Sequence, residues 1–403
     1  MSTTGGAAEC GAGGVGSVGH GDSAGYDSVL VLYFGGPEKP SDVMPFLRHV
    51  TRGRNVPEDR LTEVSEHYLS FGGRSPINDQ ARRMTAVLRT ALRDRGVNVP
   101  VYWGNRNWHP FLADTLREMA DAGHRRTVVY ASSAFSSYPG CRQYLDDLAA
   151  ARREVGGAAP ILDKLPPFWD QPGFLDQVAA AADEAAGRLR RNAASGADAA
   201  TTPTVVFTAH SIPLAMAAAC SYENQLRTAA ALVASRMTLP VEVSTAFQSR
   251  SGPPSQPWLE PDISDHLAQL AARSVRDVVV VPIGFLSDHM EVVYDLDQVA
   301  AKDAERLGLR MERAATVGTS ARFVDAVADL LTAAIRGEPL PPGLSADPPS
   351  AYCHPDCCLP RRPSDNPQDD DPEQHKPRDD TLHDDRGRPR GRAVAPERAS
   401  DEA

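Results

Sequence analysis

The chain has 403 residues with a hydrophobic fraction of 41%, enough for two domains with ordinary cores and a polar remainder. Its formal net charge of −11 argues against nucleic acid as the main partner, although the densely charged segment beyond Leu359 contributes part of it. No membrane span is visible, because the longest apolar run near the candidate site, Val278 to Leu286, falls far short of the ~20 residues a bilayer requires. The N-terminus lacks the basic region and apolar stretch of a secretory signal, so the protein reads as cytoplasmic. Its cysteines, Cys10, Cys141, Cys220, Cys353, Cys357 and Cys358, are then expected as thiols or metal ligands rather than disulfides.

Residues 1–25 are rich in Gly, Ser and Ala and predict disorder. Asp27–Phe34 (DSVLVLYF) reads as the first strand and runs into the Gly35-Gly36-Pro37 turn. A helix starts near Ser41, and Arg52 follows it. Glu66–Asn78 (EHYLSFGGRSPIN) mixes aromatic residues, paired glycines and Ser75-Pro76, and reads as a shaped loop. A helix over Gln80–Arg95 leads to a strand at Val99–Trp103, which delivers Gly104-Asn105-Arg106-Asn107-Trp108. A helix at Pro110–Ala122, a strand at Arg126–Ser133 and a helix at Leu145–Glu154 follow, with the polar, aromatic loop Phe135–Tyr144 between the last two.

A proline-rich run from Ala159 to Leu175 starts the crossing to a second unit. There the alternation repeats: a helix at Phe174–Ala194, strands at Thr204–Thr208 and Val241–Phe247, helices at Tyr222–Arg236 and Ile263–Arg273, and a valine strand from Val278. A last helix covers Arg322–Ile335. Two βαβα series in succession predict an α/β fold of two doubly wound parallel-sheet domains, at 26–165 and 166–340, facing a shared cleft. A cysteine-bearing segment, 341–358, and a Pro-, Asp- and Arg-rich tail, 359–403, come after; the tail reads as disordered.

The densest chemistry lies in Asp277–Asp297 (DVVVVPIGFLSDHMEVVYDLD). Its valine run reads as a strand buried on both faces, ended by Pro282 and Gly284. Asp288, His289 and Glu291 follow at once, then Asp295 and Asp297. Ligands in open α/β sheets bind beyond the carboxyl ends of the strands. On a helix, Glu291 and Asp295 share one face, where like charges repel and a cation relieves the repulsion. His210 stands just past the end of the Thr204 strand, so both strand ends can converge on one crevice. An imidazole and a carboxylate there can each take a proton or a borderline metal such as ferrous iron.

Read together, several blocks resemble the ferrochelatase family, enzymes that insert ferrous iron into a porphyrin. They are FGGPE (Phe34–Glu38), PFLRHVTRGR (Pro45–Arg54), HYLSFGGRSPIN (His67–Asn78), GNRNW (Gly104–Trp108), CRQY (Cys141–Tyr144), TAHSIP (Thr208–Pro213), QSRSGPPSQPWLEPD (Gln248–Asp262) and GFLSDHMEVVYDLD (Gly284–Asp297). The resemblance implies two Rossmann-like domains around a porphyrin cleft, as in class II chelatases. It implies His210 and Glu291 as the catalytic, metal-site pair, and Asp288, His289 and Asp295 as a line of polar groups along which metal reaches them. Ser75 and Tyr144 match porphyrin-binding positions, Tyr68 lies in the same block as Ser75, and Arg52 is a further candidate contact for a propionate. Some relatives carry a metal-touching tyrosine before the first glycine of the turn. Here Phe34 occupies that position, and Tyr33 points to the opposite strand face.

The polar loop Glu66–Asn78, the absence of an apolar lip and the Ala/Arg-rich composition favour coproporphyrin III as the substrate. Protoporphyrin IX, giving protoheme, is the alternative, and a cobalt chelatase is a further rival. A periplasmic binding protein would share the two-domain plan but needs an export signal. The family also implies a [2Fe–2S] cluster on Cys353, Cys357, Cys358 and an internal thiol, for which Cys141 is preferred and Cys220 is the rival. A zinc site using His354 is the plainer reading of that segment. Expected partners are the porphyrin and ferrous iron, with transient contacts to other heme-pathway enzymes.

Overall fold

The computed structural model describes residues 16–17, 25–53, 56–192, 202–252, 255–345 and 357–359. The chain divides into a unit Met1–Pro360 and a unit Arg361–Ala403, and the architecture below is that of the first. Arg54, Cys353, His354, most of the glycine-rich N-terminus and the tail beyond Leu359 lie outside the described residues.

The first half runs β1 (Gly16–Ser17), β2 (Ser28–Tyr33), α1 (Val43–Val50), α2 (Glu58–Ser70), α3 (Ile77–Asp94), β3 (Val101–Asn105), α4 (Leu112–Asp121), β4 (Arg126–Ala131), α5 (Gln143–Val155) and β5 (Ile161–Lys164). The second runs α6 (Pro172–Asn192), β6 (Thr204–His210), α7 (Leu214–Ala217), α8 (Tyr222–Ala234), β7 (Glu242–Gln248), α9 (Ile263–Ala272), β8 (Asp277–Val281), α10 (Met290–Tyr294), α11 (Ala301–Arg306), β9 (Arg310–Arg313) and α12 (Ala321–Arg336). Two sheets result, ordered β1-β5-β4-β2-β3 and β7-β6-β8-β9, with every neighbouring pair parallel. The two-domain, doubly wound expectation therefore holds at the level of the sheets.

Each sheet places its first long strand inside and its second on one flank. The third and fourth strands then add on the other flank, so the direction of winding reverses next to β2 and next to β6. Strands β2 and β8 are buried along their whole length, as runs of β-branched and aliphatic residues covered on both faces must be. The sheets do not have separate cores: Val29 of β2, Val205 of β6 and Phe323 of α12 belong to one continuous apolar cluster. Helix α12 is the bridge. Phe323 packs on Phe168 and Phe174, while Asp325 and Asp329 pair with Arg95 at the end of α3. Burying one such phenylalanine contributes about 1.5–3 kcal/mol.

Four segments differ from what the sequence alone predicts. Glu66–Asn78 is not one loop, because its first part ends α2. That helix starts behind Pro57 with Glu58 and Asp59 in its first turn, where negative charge complements the helix dipole. It stops at Gly72 and Gly73, both with left-handed backbone. The proline-bounded Ile161–Lys164 is a strand that extends the first sheet beside β4. Charged Arg310–Arg313 is also a strand: it lies on the sheet edge, where charge is tolerated, and Arg310 pairs with Asp277 of β8 at 2.5 Å. In the N-terminal stretch expected to be disordered, Gly16–Ser17 pairs with β5.

The loop after β8 lies directly on the end of β6. A Cβ on Gly284 would stand 2.6 Å from Ala209 Cβ and 2.7 Å from its Cα, and the Gly284 amide donates to the Thr208 carbonyl at 3.1 Å. Gly284→Ala is expected to push this loop off β6 and lower stability by about 1–3 kcal/mol, read as a lower urea midpoint with an unchanged slope.

Candidate active site

Strands β6 and β8 are neighbours in register from Thr204↔Val278 to Phe207↔Val281, and the chain leaves them in opposite senses. Such a reversal opens a crevice at the strand ends. His210 is the last residue of β6, and Glu291 lies in the first turn of α10. Nε2 of His210 stands 3.7 Å from Oε2 of Glu291, and the side chains are 32% and 50% exposed. Residues 81 positions apart in sequence thus meet at one partly open point, as the sequence reading required.

The environment fixes the tautomer of His210. Its Nδ1 is against the Ser211 carbonyl, which can only accept, so Nδ1 carries the proton. In the neutral ring Nε2 is then the nitrogen without a proton, and it faces Glu291. The backbone on either side is pinned, with Tyr222 donating to the His210 carbonyl at 3.0 Å and the Ser211 amide donating to the Gln248 carbonyl at 2.7 Å. His289 caps α10: its Nδ1 accepts from the Glu291 amide at 3.2 Å, and burial pushes its pKa down, so the ring stays neutral.

Asp295 opens a π-helical turn, Asp295–Ala300, directly after α10. Burial and the charge of Glu291 push its carboxyl up to about 6, against the lowering effect of the Ser249 hydroxyl that donates to it. Asp288 faces elsewhere. It accepts from Arg313 at 3.2 Å and Thr316 at 3.3 Å, and Arg313 also holds Asp297. Of the expected polar line, His289 and Asp295 therefore adjoin Glu291, while Asp288 is paired with Arg313.

The facing wall comes from the first half. Tyr68 of α2 is kept neutral by burial and by the charge of Glu291. One turn position earlier, His67 stacks on Tyr294 of α10, with centroids 3.9 Å apart and planes at 14°. Ser75 is buried beneath Gly36, on which a Cβ would meet Ser75 at 2.8 Å. Tyr144 is buried under Arg106, whose guanidinium lies 4.4 Å from its ring centroid and pairs with Asp147 at 2.5 Å. Arg52 is exposed at the end of α1. Phe34 packs edge-on against Phe46 and offers no oxygen, and Tyr33 is buried in the core.

Tyr222, Gln248, Ser249, Arg106 and Arg313 were given no role by the sequence reading. Gln248, Ser249 and Arg106 stand at the carboxyl ends of β7 and β3 inside blocks already quoted, which is the signal that could have found them. Arg313 lies on the unforeseen strand β9.

Among the described cysteines, the Sγ atoms of Cys357 and Cys358 are 3.5 Å apart, and the thiol that meets Cys358 is that of Cys220. This contact lowers the Cys220 thiol to about 7 and raises that of Cys358. Cys141 is buried in the π-helical turn Tyr138–Arg142. Among the described residues no group of three or more His, Cys, Asp or Glu side chains is arranged to hold a metal ion. Nor is any helix among them long and apolar enough to cross a membrane.

The Asp295 shift has a signed consequence. Below pH about 6 the carboxyl is neutral and the crevice loses a negative charge, so divalent-cation affinity falls with acidification. Calorimetric titration with Co2+ is expected to lose up to about tenfold per pH unit below that point, and Asp295→Asn to remove the dependence while weakening binding. The same upward shift works against folding. Between the ordinary carboxylate range and about 6 the folded chain keeps a proton that the unfolded chain releases, so Asp295 lowers stability as pH rises through that window.

A family model described as Ferrochelatase matches residues 26–335. A ferrochelatase of Rhodopirellula baltica is 46% identical over 342 residues, covering 84% of this chain and 95% of that protein. A coproporphyrin III ferrochelatase of Mycolicibacterium smegmatis is 46% identical over 330 residues, covering 81% and 95%. Among solved structures, SirB from Bacillus subtilis with Fe3+ aligns over 76% of this chain and 95% of its own at 10% identity, with a TM-score of 0.44 that adds no weight. With most of its length inside the family model and such relatives matched nearly end to end, the chain belongs to the ferrochelatase family.

Proposed function

We propose that the protein inserts ferrous iron into coproporphyrin III, with His210 and Glu291 as the working pair. The observation that supports this most directly is His210 Nε2 standing 3.7 Å from the Glu291 carboxylate in a partly open crevice. The reaction replaces two pyrrole N–H protons by a dication. It therefore needs a proton acceptor and a group that draws the cation out of water. His210 serves as acceptor through Nε2, because Nδ1 is already committed to the Ser211 carbonyl. Glu291 draws the ion in, and Asp295 and His289 continue the polar edge along which it arrives.

Coproporphyrin III carries four propionates, which need donors and cations at the rim rather than an apolar lip. Arg52 and Tyr68 are proposed to meet the substrate, and Ser75 and Tyr144 to shape the wall behind them. Relatives named coproporphyrin III ferrochelatase, at 45–47% identity over most of the chain, favour this substrate over protoporphyrin IX. A cytoplasmic location and transient contact with other enzymes of the pathway belong to the same proposal.

A [2Fe–2S] cluster is the second part of the proposal. Adjacent thiols at Cys357 and Cys358, with a third, Cys220, in contact, are the soft donors such a cluster takes. Cys353, Cys357 and Cys358 would hold it with one internal thiol, Cys141 or Cys220. When bound, it supplies structural cross-linking and one-electron chemistry.

The decisive assay offers anaerobic ferrous iron with each porphyrin in turn and follows absorbance. Coproporphyrin III is expected to turn over faster, and His210→Ala to lose at least about 10²-fold in kcat. Faster conversion of protoporphyrin IX would reverse the substrate assignment. For the cluster, protein purified without oxygen is expected to show visible absorption and acid-labile sulfide. Cys353→Ser is expected to abolish both, and whichever of Cys141→Ser and Cys220→Ser does the same identifies the internal ligand. Absence of sulfide from the parent protein would remove this part.

A further inference from the structure

Gln248 joins the two strands of the site to its helix. It ends β7 in register with His210, and its carbonyl accepts from Ser211 at 2.7 Å. Its side chain, only 1% exposed with its residue, reaches across to the other partner, and Nε2 donates to the Glu291 carbonyl at 3.0 Å. One residue therefore touches the chain next to the imidazole through its backbone, and the residue bearing the carboxylate through its amide.

Two features mark this as more than filling. The Oε1 of Gln248 is buried and has no hydrogen-bond partner among the described residues. Burying an unpaired amide oxygen is unfavourable, and a methionine would occupy similar space without it. The next residue, Ser249, has φ of 63°, a left-handed backbone that serine seldom adopts and glycine holds easily. Serine there supplies the hydroxyl that donates to Asp295. The end of β7 thus directs one side chain to the start of α10 and the next to the π-helical turn that follows it.

We propose that Gln248 is a positioning residue that sets the separation of the His210 imidazole and the Glu291 carboxylate, and with it the rate of metal insertion. This rests on the reading of His210 and Glu291 as the inserting pair. Without the amide, α10 is free to shift against β6, and a change of about 1 Å at reacting groups costs up to about 10²-fold in rate. The porphyrin is held by other residues, so its KM is not involved.

The test uses the full chain, ferrous iron and coproporphyrin III. Gln248→Met keeps length and volume but removes the donor. It is expected to unfold within a few degrees of the parent while kcat falls about tenfold or more and the porphyrin KM stays within about twofold. Gln248→Glu regains a donor only when its carboxyl is protonated, so its activity relative to the parent is expected to rise as pH falls. A purely structural role would lower the melting temperature and leave that ratio flat. Folded Gln248→Met with parental kcat, or a Gln248→Glu profile parallel to the parent's, overturns the proposal; if Gln248→Met does not fold, the Gln248→Glu profile alone decides. The underlying reading fails separately, through an active His210→Ala, whatever the Gln248 variants do.

Discussion

The adjacency of β6 and β8 is the constraint on which the rest depends. Parallel pairing from Thr204↔Val278 to Phe207↔Val281 brings two strand ends side by side, although the chain between them makes β7 and α9 first. One end carries the imidazole directly. The other must turn back before it can present a carboxylate, and it does so through Pro282 and Gly284, pressed onto Ala209 where no Cβ fits. Backbone packing and register therefore bring the two residues to one crevice. Neither side chain needs the other to hold its place, which suits groups whose protonation changes during a reaction.

Charge around the pair is sorted rather than merely negative. Asp288 and Asp297 share one cation, Arg313 of the edge strand β9. Glu291 is paired with His210 alone among the described ion pairs, and Asp295 is held by a neutral hydroxyl. Glu291 and Asp295 lie one helical turn apart, and among the described residues no Arg or Lys is paired with either. On the proposed reading a dication enters that arrangement, where the buried Asp295 carboxyl is less screened than one in water.

The strands that carry the site were legible because both buried runs, VVFT and VVVV, admit little besides a strand covered on two faces. His210 and Glu291 could be named from strand-end position and residue type. The β9 strand could not: RMER carries no apolar pattern, and its pairing depends on Asp277 being there to meet Arg310. The end of α2, Glu66–Ser70, was read as loop because the paired glycines that follow it were weighed above the acidic first turn that starts the helix. Gln248 and Tyr222 escaped because each acts on backbone groups of residues distant in sequence, and residue type alone does not reveal which carbonyl it will meet.

A flat tetrapyrrole must still enter between halves that share a core. Helix α12 packs on both, with Phe323 against Phe168 and Phe174, so rotating one sheet against the other would tear the largest apolar cluster. Helices α1 and α2 are built differently. Val43, Phe46, Leu47 and Leu61 form their own small cluster, with Tyr68 and Trp108 packed at its edge. Displacing that cluster breaks few contacts with the main core, and local opening draws on the least stable elements of a fold. The tie across the crevice is the His67–Tyr294 stack, worth about 0.5–1.5 kcal/mol beyond its buried area. The α1–α2 cluster thus meets the second half through α10, whereas His210 and Glu291 are tied to the β6, β7 and β8 side.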